Sequence, residues 1–152
     1  MIVLGERSLS RLQGVHPDLI RVVRRAALLA TPEQDFTVIE GVRSREAMMV
    51  NWGKGRTAGE CVSHGVPASY SEPSLKKVTW LANPFASNHA KKPDGFGHAV
   101  DLAPYPIDWK NIDRFKVLGA LMLSASFQEG VKIGWGGNWV KSKDWPHFEL
   151  AE

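Results

Sequence analysis

The sequence predicts an α+β fold, a small antiparallel sheet flanked by helices in one domain spanning residues 1–152. Two long segments read as helices, residues 17–30 with apolar side chains at helical spacing and residues 111–128 ending before Gly130. Four short segments of strand length are scattered between and after those helices, with no regular βαβ alternation to demand a parallel sheet. The length, 152 residues at 16.8 kDa, is that of about one domain and suffices for a real core.

The first helix runs over Pro17–Ala30, where Leu19, Ile20, Val22, Val23, Ala26, Ala27 and Ala30 share one broad face. His16 leads into it, Pro17 suits a first helical turn and Asp18 complements the dipole there. Arg21, Arg24 and Arg25 read as its solvent face. Asp35–Glu40 alternates Phe36, Val38 and Glu40 against Thr37 and Ile39 and reads as a strand ended by Gly41. Ser44 is a suitable N-cap for a helix over Arg45–Lys54, with Glu46 in its first turn.

Residues 55–86 are rich in Gly, Ser, Pro and Thr and show little period; they form either a functional loop or short strands without a clear position. Cys61 and His64 fall in that loop with no partner motif. Gly97–Ala103 is a second strand and Asn111–Gln128 a second long helix, stopped before Gly130. Val131–Trp135 and His147–Leu150 complete the strands.

Composition narrows the function classes. The chain is 43% hydrophobic and 23% charged with a mean hydropathy of −0.21, ordinary for a globular protein. One cysteine excludes an intrachain disulfide and any cysteine-based metal cluster. No run of apolar residues is long enough to span a bilayer, and the first residues, MIVLGERSLSRLQG, hold no secretory h-region, which predicts no signal peptide and a cytoplasmic location. A net charge of +3 and a pI near 9.1 are a mild bias without the clustered basic stripe that nucleic-acid binding needs, though they favour approach to a polyanionic wall. Of six tryptophans, Trp135, Trp139 and Trp145 crowd together, either closing a small core or walling a groove for an extended ligand.

Three segments carry metal-ligand chemistry: Ser87-Asn88-His89, Gly97-His98-Ala99-Val100-Asp101, and Asp144-Trp145-Pro146-His147-Phe148-Glu149. A catalytic zinc takes three imidazole or carboxylate ligands and keeps a fourth position open for water. His89, Asp101 and His147 would supply that set at the sheet, and Asp144 would be the non-ligating carboxylate that moves a proton. Glu149 either orients His147 or is simply a sheet residue.

In order, Ser87-x-His89, Gly97-x-Ala99-Val100-Asp101 and Asp144-x-x-His147-x-Glu149 resemble the signature of the zinc D-Ala-D-Ala carboxypeptidase and L-alanyl-D-glutamate endopeptidase family, peptidase M15-like, and within it the phage endolysin branch. Phe36–Ser44, Gly55-Arg56-Thr57 and Trp135-Gly136-Gly137-x-Trp139 are similar to further segments, so the resemblance spans about residues 36–150. It implies a Zn²⁺ held by His89, Asp101 and His147, with Asp144 as general acid and base. Arg43 would bind substrate and steady the oxyanion; Ser87 would orient the His89 loop or touch substrate. The implied function is hydrolysis of the L-alanyl–D-glutamate bond of the peptidoglycan stem peptide by a bacteriolytic endolysin. That reading expects no separate wall-binding domain, a monomer, and residence in the host cytoplasm until a holin releases it. D-Ala-D-Ala carboxypeptidase activity and a non-catalytic wall-binding module are the alternatives. Two departures stand out. Residues 90–100 separate His89 from Asp101 by more than the family's usual stretch, which raises His98 as an alternative ligand, although His98 and Asp101 are odd-spaced on a strand and would face opposite ways. Met48 stands where many relatives carry a glutamine that helps to hold substrate.

Overall fold

The computed structural model describes residues 1–151; Glu152, the last residue of the expected domain, lies outside the described residues. The elements run α1 (Glu6–Arg11), α2 (Pro17–Leu29), β1 (Phe36–Glu40), α3 (Arg45–Gly53), α4 (Ala58–Ser63), β2 (Ala99–Pro104), α5 (Ile112–Glu129), β3 (Ile133–Trp135) and β4 (His147–Leu150). They form two compact units: Met1–Val42 with the chain from Lys91 onward, and the inserted segment Arg43–Ala90.

The first unit holds the α+β core. Its four strands are antiparallel in the order β1-β2-β4-β3. Leu19, Val22, Val23 and Ala26 of α2 pack with Leu118, Met122 and Ala125 of α5 against Phe36, Val38, Val100, Leu102 and Phe148 of the sheet. Because strand side chains alternate, burying Val100, Leu102 and Phe148 against the helices turns Asp101 and His147 to the other face. The fold thus separates a dry face from a chemical one.

Local chemistry sets the helix ends. The Nδ1 of His16 accepts from the Asp18 amide at 3.0 Å, capping α2. Arg21 and Arg25 both donate to Glu129 at the end of α5, tying the two long helices together. Asn111 caps the start of α5, and Gly130 ends it in the left-handed conformation.

The second unit departs from the sequence reading. Residues 55–86, expected as loop or short strands, contain α4. Thr57 and Glu60 form a reciprocal capping box there, which offsets weak helix formers such as Gly59. Cys61, expected in a loop, is fully buried inside α4 with Trp52 and Val66 in a second small core. Burial pushes its thiol above the ordinary range. In the first unit, α1 follows Gly5 without a side-chain cap, so no start signal marks it in the sequence. Among the described residues, no helix is long and apolar enough to cross a membrane.

Candidate metal centre

β2 and β4 supply the centre's strand-borne side chains. Asp101 and His147 are register partners in that antiparallel pair, and Ala99 pairs with Glu149. His147 and Glu149, two apart on one strand, therefore lie on the same face. His147 is clamped on both ring nitrogens: Nε2 meets Glu149 Oε1 at 2.7 Å and Nδ1 lies 3.3 Å from Asp101 Oδ1. Burial opposes charging this ring, but the carboxylates of Asp101 and Glu149 outweigh it and lift its pKa from 6.5 to about 9. Of the two readings left open for Glu149, the contact is the one that orienting His147 requires.

The loop between β3 and β4 places Asp144. Its amide donates to Gly136 O at 3.1 Å, and its carbonyl accepts from the His147 amide at 3.2 Å. Gly136 is required for that approach, since a Cβ there would come within 2.9 Å of Asp144 Cβ and run into its carbonyl. Inside the loop, Lys143 Nζ donates to Gly137 O at 3.0 Å and Trp139 O at 2.9 Å. The tryptophans divide their work. Trp135 stacks on Phe148 in the core and donates Nε1–H to Trp145 O, whereas Trp139 stays partly exposed with its ring 5.2 Å from that of His147.

In the inserted unit, His89 and Ser87 are both buried, and Ser87 Oγ accepts from the His89 amide at 3.1 Å. The Arg43 amide donates to His89 O at 2.9 Å, so the start and end of this segment are joined. His89, Asp101 and His147 are a group that could hold a metal ion: one ligand atom from each lies within 4.8 Å of the others. His98 is engaged elsewhere, with Nε2 2.6 Å from Asp94 Oδ2 and its ring 5.4 Å from that of His16. The contact between Glu149 and His147 is the feature that residue types alone left undecided. Two residues apart on a strand is the spacing that allows it.

Comparison with known proteins gives this geometry its context. The family model for phage L-alanyl-D-glutamate peptidases matches residues 1–149. The crystal structure of the Serratia marcescens L-Ala D-Glu endopeptidase ChiX is similar, with a TM-score of 0.61 and 31% sequence identity over 96% of this chain and 87% of that one. With nearly the whole length matched, the chain belongs to the phage L-alanyl-D-glutamate peptidase family.

Proposed function

We propose that the chain is a zinc-dependent peptidoglycan endopeptidase that hydrolyses the L-alanyl–D-glutamate bond of the stem peptide. The observation that carries the reading is the grouping of His89, Asp101 and His147 in a member of this family. Two imidazoles and a carboxylate are the donor set that suits a catalytic zinc and leaves a position open. In that role Glu149 would orient the His147 ring through Nε2, and His147 would hold the ion together with His89 and Asp101. When bound, zinc supplies Lewis-acid polarisation of the scissile carbonyl and acidifies a water molecule.

The chain's own residues do the rest. Asp144 takes the proton of the attacking water as the C–O bond forms, then passes it to the leaving D-glutamyl nitrogen as the C–N bond breaks. Support for this role is its placement one tight turn before His147, held by Gly136. Arg43 directs a guanidinium at the oxyanion, a task for which a fixed fork of donors is well suited. Ser87 fixes the backbone that carries His89, as its hydrogen bond to the His89 amide supports.

The test is to measure metal content and hydrolysis together. The purified protein should carry about one zinc per chain. A chelator should abolish wall hydrolysis, and added Zn²⁺ should restore it. His147→Ala should lose zinc and activity together. Asp144→Asn should keep zinc while turnover falls about 10²–10⁴-fold, the range for a general acid–base group. Undiminished hydrolysis without metal would end the reading, and near-wild-type turnover of zinc-loaded Asp144→Asn would remove Asp144 from it.

A further inference from the structure

In the inserted unit, two buried side chains pin the backbone on either side of one exposed tryptophan. Arg56, 6% exposed, donates Nη2–H to Thr79 O at 2.9 Å and Nη1–H to Trp52 O at 2.8 Å, with its guanidinium 3.9 Å above the Trp52 ring. Trp52 Nε1–H in turn donates to Leu81 O at 2.9 Å. Trp80 sits between those two anchored carbonyls and is 72% exposed. The approach to it is also built: Gly55 has φ +75°, and a Cβ there would meet Lys77 N at 2.8 Å and Leu75 O at 3.0 Å. Lys77 Nζ lies 5.5 Å from the Trp80 ring centroid.

Leaving an indole in water forgoes a large burial energy, and tryptophan is on average a highly buried residue. A slack loop could fold the ring inward; here Arg56 and Trp52 hold the backbone at the residues before and after it. A solvent-facing indole on an anchored backbone, beside a cation, has the character of a binding hot spot.

We propose that Trp80 and Lys77 form a saccharide platform that holds the glycan strand of peptidoglycan. The proposal rests on the reading of the chain as a peptidoglycan endopeptidase, whose stem-peptide substrate is borne on such strands. The flat indole face matches the C–H face of a pyranose ring. The Lys77 ammonium complements the carbonyl oxygens of the acetamido and lactyl-amide groups that such sugars carry. Exposed Leu75 and Val78 nearby raise a bilayer as the competing partner. Residues 71–82 contain no helix or long strand, and irregular backbone is costly to sink into hydrocarbon, which favours the sugar.

The experiment compares the full chain with Trp80→Ala, Trp80→Phe and Lys77→Met. Retention on insoluble sacculi is measured in an Asp144→Asn background, so that the walls stay intact. Binding to vesicles containing anionic phospholipid is measured beside it, and cleavage of a soluble, glycan-free stem peptide is measured with Asp144 present. Trp80→Ala should weaken sacculus retention about ten-fold or more, with a smaller loss in Lys77→Met and partial rescue in Trp80→Phe. Glycan strands stripped of peptide should compete for retention, and cleavage of the soluble peptide should stay at the wild-type rate. Unchanged retention of Trp80→Ala, failure of stripped glycan to compete, or a Trp80-dependent loss of vesicle binding alone would overturn the platform. A protein whose retention depends on Trp80 but which never cleaves the soluble peptide would leave the platform standing and overturn the endopeptidase reading.

Discussion

His147 shows how strongly two neighbouring carboxylates set the charge of one buried ring. In the metal-free protein its ring sits between Asp101 and Glu149 and stays protonated to about pH 9. Its pKa is raised on folding, so the stabilisation it brings is fully present below about 6.5 and disappears as pH rises through about 9. We expect the metal-free protein to lose thermal stability across that window, and His147→Gln, which cannot be charged, to lose less. Thermal unfolding at a series of pH values checks this; a metal-free protein that grows more stable between those limits, relative to His147→Gln, contradicts it. The same ring must surrender a proton to ligate, so loading with zinc at neutral pH should release protons into the buffer. At this scale the ligand types were legible in the sequence, because imidazole and carboxylate stand in short motifs. Which ring nitrogen faces Asp101 was not, since it depends on the strand register that brings Asp101 opposite His147.

Elements differ in how plainly the sequence announces them. α2, β1 and α5 are written in periodicity: a broad apolar face at helical spacing, or alternation across five residues. α4 is short and holds a glycine and a serine; only Thr57 and Glu60, spaced as a capping box, betray it. The strand order β1-β2-β4-β3 joins segments far apart in the chain, and no local pattern encodes such pairing. The loop from Gly136 to Asp144 is the element on which the proposed role of Asp144 most depends. Gly136→Ala should force its Cβ against the Asp144 backbone, costing about 1–3 kcal/mol through overcrowding. Displacing a catalytic carboxylate by about 1 Å can cost about 10²-fold in rate. The variant should therefore bind zinc yet turn over far more slowly, as metal analysis and initial rates on purified walls would show. Wild-type turnover in Gly136→Ala would mean that Asp144 needs no such support.

Across the whole chain, the residue motifs and the family match over residues 1–149 point to one substrate, while charge and composition are compatible with many. The proposed zinc centre could serve either end of the stem peptide, and the two outcomes differ in which bond is lost. The most direct measurement is mass spectrometry of the muropeptides released when the zinc-loaded protein digests purified sacculi. The account predicts stem fragments with a new N-terminal D-glutamate and a glycan that keeps only L-alanine. Release of free D-alanine from otherwise intact stems would contradict it and identify a carboxypeptidase instead.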